Sequence, residues 1–237
     1  MVVAGGSGRR FGSMKQFEPL DTGGGSRRVL DHAVDAALAC SDGVVLVVPA
    51  DDVDDERIRH RGSGSRVEVV AGGPTRTAST RCGLAAVPTG AGIILVHDAA
   101  RPFAGPELFG SVIDAVRAGV DGAVPGLPVT DTVKTIEVVE TTSVPGLADA
   151  TGRPAVTPVV VATPDRATLV AVQTPQAFRA DVLRRAHAQE AEGSDDASLV
   201  EMTGGTVIVV PGSADNRKIT HPEDLVWARE HLSEMTA

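Results

Sequence analysis

Hydrophobic and polar positions along the chain fall into two alternating patterns, short β-branched runs and longer stretches in which apolar residues recur every three or four positions. Val2-Val3-Ala4 reads as a brief first strand ending in a glycine-rich loop. Val29, Leu30, Ala33, Val34, Ala37 and Leu38 share one helical face, and Val44 to Val48 is an uninterrupted apolar run, as a strand buried on both faces requires. Arg66 to Val70 predicts a shorter strand. Thr75, following Gly72-Gly73-Pro74, is placed to cap a helix to about Val87, with the strand Ile93 to Val96 behind it. Pro106 opens a further helix whose apolar face carries Leu108, Val112, Ile113 and Val116. This rhythm predicts an α/β fold with a doubly wound, mostly parallel sheet.

The rhythm breaks between Val133 and Ala162. Two strand-like runs, Thr135 to Glu140 and Pro158 to Ala162, flank a stretch containing Pro and Gly, which predicts a protruding two-stranded arm over about 133–164. The alternation then resumes with a strand at Val170 to Val172, a helix around Ala180 to Ala191, a strand at Val207 to Val210 and a last helix after Pro222. Ser194-Asp195-Asp196 reads as a helix start, because short oxygen-bearing side chains accept from the free N–H groups there.

Composition narrows the class. With 237 residues, 42% of them apolar, one domain over 1–237 is expected. The 26 Gly and 15 Pro fall short of low-complexity usage, and no repeat is visible. No apolar run nears the roughly 18–20 residues that cross a bilayer, and no signal-peptide core follows Met1. A cytoplasmic protein without a membrane partner is therefore expected. The first strand is short for a buried one, as a late-assigned start or a clipped strand would make it. Cys40 and Cys82 have no metal-ligand or disulfide-framework spacing and are expected to be buried free thiols.

The net charge of −9 and the scarcity of aromatics (five Phe, one Trp, no Tyr) argue against nucleic acid as a partner. An anionic small molecule needs only local positive charge. Of 22 basic residues only Lys15, Lys134 and Lys218 are lysines. A chain that otherwise uses Arg keeps Lys where a compact, flexible ammonium is needed and a planar guanidinium would not fit.

Three groups of residues can carry chemistry. Ala4-Gly5-Gly6-Ser7-Gly8-Arg9-Arg10, followed by Lys15, offers bare backbone N–H groups and two cations to a polyphosphate. It lacks both the GxGxxG order of a dinucleotide loop and the Gly-Lys-Ser/Thr of a Walker loop. Val96-His97-Asp98-Ala99-Ala100-Arg101-Pro102 ends a buried strand, where open α/β sheets place ligands. There Asp98 can hold a divalent cation or ribose hydroxyls, and Arg101 can grip a phosphate, although an Asp–Arg pair capping the strand is the plainer alternative. His97 is expected to be structural. The third group is dispersed: Asp131-Thr132-Val133-Lys134, Arg166, Gln173-Thr174-Pro175-Gln176 and Asp215-Asn216-Arg217-Lys218, with Gly72-Gly73-Pro74-Thr75-Arg76-Thr77-Ala78-Ser79 adding a glycine pair and a serine.

Taken in order, AGGSGRR, KQF, GGPTRTAS, LVHDAARP, PVTDTVK, QTPQAF, DDASLVE and DNRKITHPEDL resemble the 2-C-methyl-D-erythritol 4-phosphate cytidylyltransferases of the non-mevalonate isoprenoid pathway. The resemblance implies a Rossmann-like fold of the nucleotidyltransferase type and transfer of CMP from CTP to a polyol phosphate, with release of pyrophosphate. It assigns transition-state stabilisation to Arg10 and Lys15, and positioning of the sugar phosphate to Arg166 and Lys218. Ala4, Gly5, Gly6, Gly8, Gly73 and Ser79 would surround CTP, and Asp98, Arg101, Thr132 and Thr174 the acceptor. It further implies Mg²⁺ or another divalent cation, held mainly by the CTP phosphates with Asp98 as a protein ligand, and a homodimer whose arm is exchanged so that the site is shared. Against the family's pattern, the stretch from Arg10 to Lys15 is short, Met14 replaces a common Pro, Pro74 replaces a frequent Asp, and the arm is long. For Lys134 a structural salt bridge is expected. Two other readings share these motifs: a cytidylyltransferase for another polyol phosphate such as ribitol 5-phosphate, and a non-catalytic nucleotide-binding regulator.

Overall fold

The apolar run Val44–Val48 is a strand with all five residues buried, and its two sides define the layers of the fold. Val45 and Val47 pack with Leu84, Val96, Phe178, Leu183 and Leu199 on one face, whereas Val44, Leu46 and Val48 pack with Leu30, Val34, Leu108 and Phe109 on the other. Removing each such side chain from water contributes about 1.5–3 kcal/mol, so a polar residue in the run would cost one of the two cores its closure.

The computed structural model describes residues 1–5, 14–21, 27–62, 64–140 and 156–236. In chain order the elements are β1 (Val2–Val3), α1 (Val29–Ala39), β2 (Val44–Val48), α2 (Val53–Arg59), β3 (Val67–Ala71), α3 (Arg76–Ala86), β4 (Ile93–Asp98), α4 (Pro106–Arg117), β5 (Gly122–Pro128), β6 (Thr135–Glu140), β7 (Val156–Ala162), β8 (Val170–Val172), β9 (Gln176–Arg179), α5 (Ala180–His187), α6 (Asp196–Met202), β10 (Val207–Pro211) and α7 (Pro222–Thr236). The main sheet has the order β10-β5-β9-β4-β1-β2-β3, with β8 beside β5. Along that path only β9 runs antiparallel to its neighbours, β4 and β5. The sheet is therefore doubly wound and mostly parallel, as the periodicity predicts.

The chain winds from β1 outward through β2 and β3, then returns to β4 on the other side of β1. The crevice beyond the carboxyl ends of β1 and β4 is thus the switch point of the fold, where open α/β sheets leave room for a ligand. The local signals behave as expected. Thr75 Oγ1 accepts from the Ala78 N–H at 3.0 Å, Pro106 stands in the first turn of α4, and Asp195 and Ser198 form a capping box that opens α6.

Some expectations are corrected. The helix expected to reach about Ala191 ends at His187, because Glu190 takes a φ of 55° and turns the chain out of the helical path. The strands β5 and β9 and the helix α2 stand where the hydrophobic pattern announces no element. Both cysteines are free, but only Cys40 is partly covered; Cys82 lies exposed on α3, so the expectation of two buried thiols fails. Among the described residues no helix is long and apolar enough to cross a membrane.

The chain separates into two units, Met1–Gly126 with Val172–Ala237, and Leu127–Ala171. The second unit contains the expected arm: β6 and β7 form an antiparallel ribbon with Ile136 opposite Val160, Val138 opposite Pro158 and Glu140 opposite Val156. Side chains directly opposite each other share a face, so Ile136, Val138, Val156, Pro158 and Val160 make one side that is apolar except for Glu140. Ile136, Val138 and Val160 are 53%, 65% and 54% exposed. At the base of the ribbon Lys134 Nζ donates to Thr163 Oγ1 at 2.7 Å and Arg166 Nη1 to the Thr130 carbonyl at 2.8 Å. Among the described residues the partner of Lys134 is thus a hydroxyl rather than the carboxylate of the expected salt bridge.

In the first unit, Arg28 joins the segment before α1 to α2. Its guanidinium binds Glu56 through two contacts of 2.5 and 2.9 Å and Asp31 at 2.7 Å, and lies 5.3 Å from the Phe17 ring centre. Burial works against the charge on Arg28, but Glu56 and Asp31 outweigh it and raise the guanidinium pKa. Replacing Glu56, which is almost wholly buried, by Ala leaves one carboxylate to satisfy a buried guanidinium. Glu56→Ala is expected to cost about 3 kcal/mol in chemical denaturation; a loss under about 1 kcal/mol would show that Asp31 alone suffices.

His97 supports the end of β4 from below. It is buried, its Nε2 lies 3.0 Å from the Arg101 carbonyl and its Nδ1 3.1 Å from Thr174 Oγ1, and its ring packs 5.4 Å from that of Phe109. Burial lowers its pKa from 6.5 to about 4, so the ring is neutral in the folded protein at pH 7. Between those two values only the unfolded chain takes up the proton, so stability is complete above about pH 6.5 and falls toward pH 4, by about 3 kcal/mol in all. A His97→Gln variant, compared by urea denaturation at pH 7 and pH 4.5, is expected to lose less stability on acidification than the parent; equal losses would refute this assignment.

Candidate functional site

The strand β1 pairs Val3 with Asp98 of β4, so Ala4 and Gly5 leave the sheet beside the loop that follows Asp98. The backbone continues this junction: Ala4 N–H donates to the Val47 carbonyl at 2.8 Å and Ala99 N–H to the Val3 carbonyl at 3.1 Å. On one flank stands Ser79 of α3, whose hydroxyl meets Gly73 N and Gly73 O at 3.2 Å each. A Cβ added to Gly5 would lie 2.8 Å from Ser79 Oγ, and one on Gly73 would lie 2.6 Å from the Cβ of Ala78. Only glycine permits these approaches, and so Gly5, Gly73 and Ser79 form one concave wall. Gln16 anchors the segment carrying Lys15: buried in the 3₁₀ turn Lys15–Phe17, it donates from Nε2 to the Ala4 carbonyl at 2.7 Å.

Asp98 and Lys218 meet at the other flank. Lys218 Nζ lies 2.5 Å from Asp98 Oδ2, and the side chains are 40% and 12% exposed. The Asp98 N–H donates to Thr174 Oγ1 at 3.0 Å, which fixes the threonine against the strand end. The loop bearing Lys218 is tied down on both sides: Ile219 N–H donates to the Ala100 carbonyl at 2.8 Å, and Arg101 Nη1 to the Asn216 carbonyl at 2.7 Å. Asn216 in turn donates from Nδ2 to the Thr174 carbonyl at 2.8 Å. Burial would push the Asp98 carboxyl up, but Lys218, Arg76 and Arg101 outweigh it and hold it far below the usual carboxylate range. Burial lowers Arg101. The alternative of an Asp98–Arg101 pair is not what forms; Lys218 takes the carboxylate and Arg101 a carbonyl.

Ala4, Gly5, Gly73, Ser79, Asp98, Arg101, Thr174 and Lys218 therefore come together around the carboxyl ends of β1 and β4. Thr132 and Arg166 belong to the ribbon unit, where Arg166 opens a short 3₁₀ turn and Thr132 is exposed. Gly6, Gly8 and Arg10 lie outside the described residues. The residue the motif reading passes over is Arg76. Its Nη2 makes a 2.8 Å ion pair with Asp196 Oδ2 and its Nε lies 3.5 Å from Asp98 Oδ1. The signal was present: a guanidinium in the first turn of a helix opposes the helix dipole, and such a residue needs carboxylates from elsewhere.

The described residues contain no group of three His, Cys, Asp or Glu suited to a metal ion, and Asp98 is already countered by Lys218 and Arg76. This donor set does not fit a divalent ion held by the protein. It fits an anion: the glycine wall of Gly5, Gly73 and Ser79 on one side and the Lys218 ammonium on the other.

Known proteins resemble this chain along nearly its whole length. The family model described as 2-C-methyl-D-erythritol 4-phosphate cytidylyltransferase (IspD) matches residues 1–234. Curated proteins of that name from Nocardia farcinica and Streptomyces coelicolor are each 42% identical, over 100% and 98% of this chain and 94% and 84% of their own lengths. The crystal structure of 2-C-methyl-D-erythritol 4-phosphate cytidylyltransferase from Thermus thermophilus superimposes with a TM-score of 0.73 at 30% identity, covering 98% of this chain and 97% of that one. With a switch-point crevice built for an anion and a match along nearly its whole length, the chain belongs to the 2-C-methyl-D-erythritol 4-phosphate cytidylyltransferase family.

Proposed function

We infer that this protein transfers CMP from CTP to 2-C-methyl-D-erythritol 4-phosphate, releasing pyrophosphate, in the synthesis of isoprenoid precursors. The observation that carries the reading is Lys218, a half-exposed ammonium resting on the buried Asp98 beside the wall of Gly5, Gly73 and Ser79. A phosphate oxygen of the acceptor attacks the α-phosphorus of CTP, a P–O bond forms, and the bond to the pyrophosphate oxygen breaks with its electron pair. The nucleophile is already ionised at neutral pH and needs no general base. That agrees with a neutral, fully engaged His97 below the site. Catalysis then rests on positioning and on cations placed where charge accumulates. Lys15 and, by resemblance, Arg10 stabilise the transition state; Lys218 and, by resemblance, Arg166 hold the acceptor phosphate. Any divalent ion enters on the CTP triphosphate as part of the substrate, and no step is assigned to one held by the protein.

Pyrophosphate release from CTP, followed with a panel of polyol phosphates, tests this reading. Methylerythritol phosphate is expected to give the highest kcat/KM. A preference for ribitol 5-phosphate would replace the acceptor, and no turnover by folded protein with any acceptor would leave a nucleotide-binding regulator. Lys15→Arg is expected to lower kcat on the order of 10²-fold, since a planar guanidinium cannot place its charge where the ammonium does. Near-parental turnover would refute the need for lysine.

We further propose a cytoplasmic homodimer formed through the ribbon. The support is the exposed apolar face of Ile136, Val138 and Val160, a set of residues that a free ribbon would leave in water, together with the two unpaired thiols. Sedimentation equilibrium is expected to give twice the chain mass for the parent and the chain mass for Val138→Glu. A parent that stays monomeric at tens of micromolar would end this proposal.

A further inference from the structure

Five charged or titratable side chains line up beneath the crevice. His187 Nε2 lies 3.0 Å from Asp196 Oδ1, and Asp196 Oδ2 makes the 2.8 Å ion pair with Arg76 Nη2. Arg76 Nε reaches Asp98 Oδ1 at 3.5 Å, and Asp98 Oδ2 holds Lys218 Nζ at 2.5 Å. The row draws on α5, α6, α3, the end of β4 and the loop before α7, so its geometry is fixed by packing. The contacts flanking α3 confirm this: Arg81 Nε donates to the His187 carbonyl at 3.2 Å, and Arg184 Nη1 to the Leu84 carbonyl at 3.0 Å.

Exposure along the row is unequal. Asp196 and Asp98 are buried, Arg76 is 28% exposed, and Lys218 at the end is 40% exposed. Only Lys218 can swing into the crevice without carrying a buried carboxylate with it. To meet an acceptor phosphate, however, the ammonium must leave Asp98, and an abandoned buried carboxylate would pull it back. Arg76 is the second cation on that carboxylate, bound to the oxygen that Lys218 does not use.

We propose that Arg76 is a positioning residue that keeps Asp98 neutralised while Lys218 exchanges the carboxylate for the acceptor phosphate. Asp196 sets the reach of Arg76 from the far side, competing with Asp98 for the same guanidinium. The proposal rests on the functional reading above and deepens it: between turnovers the enzyme stores its phosphate-binding ammonium on an internal anion, and Arg76 decides how tightly.

Steady-state kinetics with CTP and methylerythritol phosphate test it. In Arg76→Gln the acceptor KM is expected to rise roughly tenfold or more while the CTP KM stays within about twofold, because the loss falls on a ground-state phosphate contact. Asp196→Asn, which is isosteric, frees Arg76 to commit to Asp98 and is expected to lower the acceptor KM. A merely structural row would make both variants fail alike, in both substrates. Parental KM for the acceptor in folded Arg76→Gln, or an acceptor KM raised about threefold or more in Asp196→Asn, overturns the proposal; the second result decides even if Arg76→Gln does not fold. A parent enzyme without turnover brings down the functional reading and this proposal with it, whereas an active parent with either of those results overturns this proposal alone.

Discussion

The carboxylate of Asp98 is the point on which the crevice depends. It ends a strand in the middle of the sheet, it is buried, and an ionised group there is tolerable only because cations from three other segments surround it. Lys218 closes it from the C-terminal loop and Arg76 from the start of α3, while Arg101, bound to a carbonyl in the turn that follows β4, adds its charge from farther off. One charge thereby ties the last fifth of the chain to its first half. Backbone bonds reinforce the tie, through Ile219 to Ala100 and Arg101 to Asn216. Below, His97 holds the turn and the threonine as an uncharged ring, so that the cations above face no added positive charge.

The two walls of the crevice are built by opposite means. On the nucleotide side, space is made by omission: Gly5 and Gly73 close on Ser79 and Ala78 to distances no Cβ would allow. On the acceptor side, position is set by internal bonds: Thr174, Asn216 and Asp98 each have a hydrogen-bond partner before any ligand arrives. Such a division suits a reaction whose difficulty is electrostatic, bringing one phosphate up to another.

Much of this was legible in the sequence. The run Val44–Val48, the cap at Thr75, the opening proline of α4 and the Asp195 cap are local signals, and local chemistry decides them. What escaped depends on tertiary context. The strand β5 contains Pro125 and Pro128, which argue against a strand, yet Pro125 pairs with Val210 of β10 and its carbonyl accepts from Gln173 N–H at 2.7 Å, partners that only the tertiary fold supplies. The four residues of β9 are too few for a periodicity to show, and their place between β4 and β5 follows from pairing alone. In the site, Asp98, Lys218, Arg101 and Thr174 were visible because they stand in motifs. Arg76 and Asp196 stand in motifs too, GGPTRTAS and DDASLVE, but their role was harder to see because it lies in each other, 120 residues apart in the chain.

The fully apolar strand that gives the fold its layers also sets a hazard during synthesis. Val-Val-Leu-Val-Val has the composition of a self-pairing zipper segment, uncharged and rich in β-branched side chains, and its native partners β1 and β3 lie at opposite ends of a long stretch of sequence. Until both have docked, the strand offers an open edge to any other copy. Its boundaries supply the protection: Asp42 and Gly43 stand before it, and Pro49, Asp51 and Asp52 directly after, charges and a ring that a stacked β-assembly cannot absorb. The acidic turn that follows β2 thus serves the unfolded chain as well as the folded one.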